Sequence, residues 1–222
     1  VEEQAYRLYI GTSNRDKVAE LVPLLSPLGI SVAVTGSAEE IEEPSADLND
    51  GFTENATAKA LAYAGISGGV TLAEDSGLSV AALGGLPGIW SARFADLDPA
   101  TMVVSPSHLS REEMDRRNNL RVLEMMKGIE QPRRAAAFRI ALVVAKGSAV
   151  LFTCTAERHG WIAEEARGEK GFGYDSIFVG SDTAGRTYAE LDPIRKNLKS
   201  HRKEAMDQFF FWISRNLEVF SK

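Results

Sequence analysis

Four polar clusters in this 222-residue chain combine residue types suited to phosphate and metal chemistry. The first, Thr12-Ser13-Asn14-Arg15-Asp16-Lys17, follows the apolar run Leu8-Tyr9-Ile10. Asn14 is a good N-cap, and Val18, Leu21, Leu24, Leu25 and Leu28 recur behind it at helical spacing. Backbone N–H groups and the dipole at a helix N-terminus favour an anion, Lys17 adds a point charge and Ser13 a hydroxyl. A capped surface helix accounts for the same residues, and the spacing is not that of a Walker A loop. The second cluster, Glu74-Asp75-Ser76-Gly77, ends the apolar strand Val70–Ala73. Neighbouring side chains on a strand point to opposite sides, so a turn at Ser76-Gly77 is expected to bring both carboxylates toward one hard cation. An acidic turn with a local cap is the plain alternative.

The third cluster is Gly171-Phe172-Gly173-Tyr174-Asp175. Glycines beside an aromatic let backbone approach a flat ligand, and Phe172 or Tyr174 offers a face for stacking; a tight turn with core aromatics fits equally. The fourth, Lys196-Asn197-Leu198-Lys199-Ser200-His201-Arg202, is expected to open the last helix, about Ser200–Leu217. Cations at a helix start oppose the dipole, so an anionic partner is implied unless the face is simply solvated. Cys154 reads as a core thiol, and His108 and His159 lack zinc-ligand spacing.

The elements between the clusters alternate strand and helix, which is the α/β pattern. Pro23 and Pro27 are expected to kink or end the first helix, with Gly29 closing it, and Ser31–Val34 reads as a strand. Acidic Glu39–Asp50 reads as a loop, Thr53–Ala64 as a helix, Leu83–Gly88 and Ala95–Ser107 as loops. Ser110 and Glu113 form a capping-box pattern before a helix carrying Met114, Leu120, Leu123 and Met126. Ala135–Ala145 and Ala149–Ala156 read as a hairpin through Lys146-Gly147-Ser148, and Ile177–Val179 as a further strand. The last helix is expected to bury Ala205, Phe209, Trp212 and Ile213. With 44% hydrophobic residues there is ample core material, and no repeat or linker interrupts it, so one unit over 1–222 with two lobes is expected. Lys+Arg 25 against Asp+Glu 31 leaves a net charge of −6, a poor basis for stable nucleic-acid binding. A single cysteine, no apolar stretch of membrane-spanning length and an acidic start at Val1-Glu2-Glu3-Gln4 without a signal-peptide run together lead to the expectation of a cytoplasmic protein.

In order, the motifs SNRDK, FTENATAKA, AEDSGL, GGLPGIWSARFA, GFGYDSIF and KNLKSHR resemble the inosine triphosphate pyrophosphatase family from about Leu8 to Ala205. The resemblance implies an elongated, two-lobed α/β fold: a mixed sheet flanked by helices around a central substrate cleft, usually as a homodimer. It implies Mg²⁺-dependent hydrolysis of ITP, dITP or XTP to the monophosphate and pyrophosphate. Carried over residue by residue, it assigns Thr12, Ser13, Asn14 and Lys17 to the phosphate-contacting loop, with Arg15 and Asp16 among the substrate-binding residues. Glu74 and Asp75 become the acidic pair, with Asp75 as general base and Ser76 a substrate contact. Phe172, Gly173, Tyr174 and Asp175 surround the base, and Arg93, Lys196, His201 and Arg202 are the cationic set. A further metal carboxylate is expected from the acidic loop, at Glu42, with Glu43 fitting nearly as well. Water is expected to attack the α-phosphorus, with Lys17 and Lys196 stabilising phosphate charge. Arg202, His201 and N–H groups near Phe172–Asp175 are expected to form a donor-rich pocket for a 6-oxopurine. Ser176, where the family often has proline, is expected to loosen the turn after Asp175. A Maf-like pyrophosphatase for other modified nucleotides, or a non-catalytic nucleotide-binding module, are the rival functions.

Overall fold

Leu8 and Ile10 lie on β1 (Arg7–Gly11), and the polar cluster after it starts α1 (Arg15–Leu25). The computed structural model describes residues 6–36, 47, 51–105 and 107–220. Asn14 caps α1 as expected, its Oδ1 accepting from the N–H groups of Asp16 (2.9 Å) and Lys17 (3.3 Å). Pro23 is tolerated inside α1, and Gly29, with φ +64°, closes the short 3-10 turn that follows. The chain continues through β2 (Ser31–Thr35), α2 (Gly51–Ser67) and β3 (Thr71–Val80). Two short strands, β4 (Leu97–Asp98) and β5 (Val103–Val104), pair antiparallel where a plain loop was expected. Then come α3 (Arg111–Met125), β6 (Ala135–Lys146), β7 (Ala149–Ile162), β8 (Phe178–Gly180), α4 (Pro193–Leu198) and α5 (His201–Ile213).

The main sheet has the order β2-β1-β3-β6-β7-β8. Both neighbours of β1 are parallel to it and β8 is antiparallel to β7, so the sheet is mixed. The class is α/β, as the alternation of elements implied. The chain divides into two compact units, and β3, β6 and β7 each contribute residues to both.

The first unit comprises Val1–Asp75, Ile140–Ala156 and His201–Lys222. Its core joins Leu8, Ile10, Leu21, Leu25 and Leu72 to Leu142, Val144, Phe209 and Ile213. Burying side chains of this size contributes about 1.5–3 kcal/mol each. Trp212 is only partly buried, packed on the core's edge against Phe152 at 4.9 Å between ring centres. A Cβ on Gly11 would lie 2.6 Å from the Tyr63 ring, so this glycine lets α2 approach the end of β1.

Cys154 is buried in the same core, its thiol 3.6 Å from the Ala205 carbonyl. Burial pushes its pKa up to about 12 from 9.0. The native thiol is therefore expected to resist thiol-disulfide reagents at pH 8 and to react only on unfolding, which a DTNB time course with and without urea would read. The unfolded thiol ionises first, so this group's contribution to stability is present below about pH 9 and is lost as pH rises toward 12.

The second unit comprises Ser76–Arg139 and Glu157–Ser200. Leu78, Phe94, Val122, Met126, Phe138, Tyr174, Phe178 and Tyr188 form its core, with Phe138 and Phe178 rings 4.6 Å apart. The capping-box serine does cap α3, Ser110 Oγ accepting from the Glu113 N–H at 3.2 Å. Leu120 does not join the core; it is exposed, and α3 instead buries Asp115, Asn118 and Asn119.

Candidate active site

β3 does not end at the acidic pair. It runs on through Ser76 and Gly77, which corrects the expected turn. Gly77 is needed for packing: a Cβ there would lie 2.3 Å from Ser91 Oγ and 2.4 Å from the Gly88 carbonyl oxygen. Because β3 stays extended, Glu74 and Asp75 face different partners. Glu74 Oε1 meets Lys17 Nζ at 3.2 Å and the Arg202 guanidinium at 3.0 Å from Nη2. Arg202 Nη1 also donates to Glu20 Oε2 at 2.7 Å. Asp75 instead accepts from Lys59 Nζ at 2.8 Å and Asn55 Nδ2 at 3.3 Å, both on α2.

The first unit thus gathers three carboxylates and three cations. Glu74 and Asp75 are only 4% and 6% exposed, and Arg202 4%. Burial lowers the Lys17 pKa from its usual value, with Glu74 opposing the shift. Burial also works against the charge on Arg202, but Glu74 and Glu20 outweigh it and hold the guanidinium's pKa above its ordinary value. His201, beside Arg202 in the first turn of α5, is buried as well.

The second unit organises a different set. Lys196 does not open the last helix; it sits on the separate short helix α4, buried, with its ammonium 2.5 Å from Asp175 Oδ2. The same oxygen accepts the Phe172 N–H at 2.9 Å, and Lys196 Nζ lies 4.8 Å from the Phe172 ring centre. Asp175 therefore ties the loop to α4 and brings a cation over an aromatic face. Tyr174 is a core residue, 4% exposed, whose hydroxyl donates to the Ser91 carbonyl at 2.8 Å. Its ring is enclosed and offers no face for stacking, which leaves that part to Phe172. Burial, with Asp115 adding to it, pushes the Tyr174 phenol well above its usual pKa. Arg93 lies exposed at a non-helical residue within the 3-10 segment Gly88–Asp96.

The family model described as the Ham1 family matches residues 8–212. The chain belongs to the Ham1 family. A dITP/XTP pyrophosphatase of Bacillus subtilis is 41% identical over 200 residues, covering 89% of this chain and 91% of the relative. A protein of the same name from Desulforamulus reducens is 38% identical, covering 90% and 92%. One from Streptococcus pyogenes is 39% identical, but this chain spans only 56% of its length. Among solved structures, a HAM1 protein from Coxiella burnetii superposes with a TM-score of 0.75 at 32% identity, covering 94% of this chain and 98% of that one. The family read from the six motifs is therefore the right one.

For this Ham1-family chain, several expected placements change. Arg202, expected as a donor for a purine, has its guanidinium engaged by Glu74 and Glu20. The loop N–H groups are also largely used internally: Phe172 donates to Asp175, Gly173 to Asp115 and Asp175 to the Phe172 carbonyl. Ser176 does not loosen its turn, since its hydroxyl accepts from Asn119 Nδ2 at 3.2 Å and its carbonyl from the Arg167 N–H at 2.8 Å. Glu42 and Glu43 lie outside the described residues. Among the described residues, no three His, Cys, Asp or Glu side chains gather as a metal cluster, and no helix is long and apolar enough to cross a membrane. Sequence reasoning took no residue from FTENATAKA, yet Asn55 and Lys59 carry the partners of Asp75. Their signal was spacing: two polar residues at i, i+4 beside Ala56 and Ala60 on a buried helix face.

Proposed function

We propose that the chain hydrolyses non-canonical purine nucleoside triphosphates, of the dITP, ITP and XTP class, to the monophosphate and pyrophosphate. Support comes from the names of the relatives together with one feature of the structure: the buried acids of β3, flanked by Lys17, Lys59 and Arg202. The hard oxygen donors suit Mg²⁺, an ion that needs one or two protein carboxylates and takes its other ligands from water and phosphate. Among the described residues one of Glu74 and Asp75, which the extended strand turns to different partners, would hold it, and Glu42 or Glu43 is the expected addition. When bound, Mg²⁺ would neutralise phosphate charge and make a water more acidic.

In this mechanism Asp75 takes the proton of the attacking water as its oxygen bonds to the α-phosphorus and the bond to the bridging oxygen breaks. Lys17, which burial has made a less hydrated cation, and Lys59 stabilise charge on the phosphates and on the departing pyrophosphate. The Phe172–Asp175 loop, which offers Phe172 as a stacking face with Lys196 Nζ beside it, is assigned to the nucleotide base. A donor remains for a 6-oxo group at the Tyr174 N–H, which has no hydrogen bond among the described residues. Adenine presents an amino group there, and a buried donor left facing a donor costs about 1–3 kcal/mol. With Mg²⁺ present, pyrophosphate release is expected to favour ITP and XTP over ATP in kcat/KM by about tenfold to a hundredfold, and to stop on adding EDTA. Equal kcat/KM for ATP and ITP, or release of orthophosphate, would overturn the assignment.

A further inference from the structure

α3 buries three polar side chains, and polar groups taken out of water need hydrogen-bond partners. All three find them on distant backbone. Asn118 Oδ1 accepts the Ala95 N–H at 2.7 Å, and its Nδ2 donates to the Ser91 carbonyl at 3.1 Å. Asp115 and Asn119, at i and i+4 and so on one helix face, both reach Gly173. Asp115 Oδ2 accepts the Gly173 N–H at 2.7 Å, and Asn119 Nδ2 donates to the Gly173 carbonyl at 2.9 Å.

We propose that Asp115 and Asn119 are positioning residues that set base recognition by clamping Gly173 from both sides. The inference rests on the assignment of the Phe172–Asp175 loop to the nucleotide base. Gly173 has φ +60°, and glycine alone would visit many other conformations. The Gly173 carbonyl and the Tyr174 N–H belong to one planar peptide group and point in opposite directions. Holding the carbonyl on Asn119 therefore aims the Tyr174 N–H away from α3. The Asp115 contact fixes the preceding peptide, and Asn119 also holds the Ser176 hydroxyl just beyond the loop. Tyr174 itself is anchored by its hydroxyl on the Ser91 carbonyl, beside the segment that Asn118 holds. A loop fixed before the base arrives loses less conformational freedom on binding, which lowers KM without touching the phosphoryl chemistry.

Steady-state kinetics of the full chain with dITP and XTP test the clamp. Asp115→Ala and Asn119→Ala are expected to raise KM about tenfold and to leave kcat within about threefold of the parent. Asp115→Asn, which keeps an acceptor oxygen for the Gly173 N–H, is expected to stay within about threefold in KM. Asn119→Asp, equal in volume but with an acceptor facing the carbonyl, is expected to behave like Asn119→Ala and covers the case in which an alanine variant does not fold. Inorganic tripolyphosphate has no base, and its inhibition constant should be the same for all variants. An unmoved KM in the alanine variants, or an inhibition constant that rises with KM, overturns the clamp. Phe172→Ala separates the two levels. A raised KM there with unmoved α3 variants defeats the clamp alone, whereas an unmoved KM in Phe172→Ala defeats the assignment of the loop to the base.

Discussion

Asp75→Asn is expected to lower kcat for dITP or XTP by about 10²–10⁴-fold, with the fold intact. The amide has the size of the carboxylate and keeps one oxygen, for Lys59 at 2.8 Å, while its Nδ2 replaces the oxygen that Asn55 Nδ2 reaches at 3.3 Å. Lys59 is 17% exposed in its side chain, so its charge retains contact with water when its partner becomes neutral. In the proposed mechanism, what the variant loses is the ability to accept a proton from water. That step belongs to the transition state, so the loss should fall on kcat and on kcat/KM together. Rapid-quench single turnovers at saturating nucleotide would isolate it from product release, and circular dichroism would confirm the fold. Near-parental turnover would remove Asp75 from the role of base. A large loss in Lys59→Gln as well, and no further loss in the double variant, would show that the pair acts as one unit.

The polar clusters were legible because they stand out from the apolar patterns around them: after β1, on β3, before β8, and across α4 and the start of α5. Residues that act from the middle of a regular element left fainter traces. Glu20, Asn55 and Lys59 are ordinary helix residues until tertiary packing sets α1 and α2 against the acidic pair. Asp115 and Asn119 reach Gly173 across 58 and 54 residues of chain, a pairing that no local pattern encodes. Gly77 misled in a different way. A glycine after three polar residues signals a turn, yet the same absence of a Cβ also permits Ser91 and the Gly88 carbonyl to press on a continuous strand. The cations at the start of α5 did carry a true signal of an anionic partner, but for Arg202 that partner is carried within the protein, on Glu20 and Glu74.

Arg202→Met is accordingly expected to act first on stability, lowering it by about 3–5 kcal/mol. For a chain of this size each kcal/mol corresponds to about 2–4 °C in Tm, so a drop of roughly 6–20 °C follows. Methionine fills much of the side chain's volume, and the cost arises at the carboxylates it deserts. Glu74, 2% exposed in its side chain, keeps Lys17 at 3.2 Å but loses the nearer guanidinium, and Glu20 loses a 2.7 Å partner. Removing one member of a buried ionic group leaves charge without compensation, whereas removing charge from both sides is far milder. Arg202→Met combined with Glu74→Gln should therefore recover part of the lost stability, and adding Glu20→Gln should recover more. Arg202→Lys, which keeps the charge but cannot fork across two carboxylates, should fall between the parent and Arg202→Met. A guanidinium whose main task were to grip the nucleotide would give the opposite pattern: a raised KM, a Tm within about a degree of the parent's, and no recovery from neutralising Glu74. Thermal and urea unfolding of this series without nucleotide, set beside KM for dITP, decides between an arginine that holds Glu74 in place and one that holds the substrate.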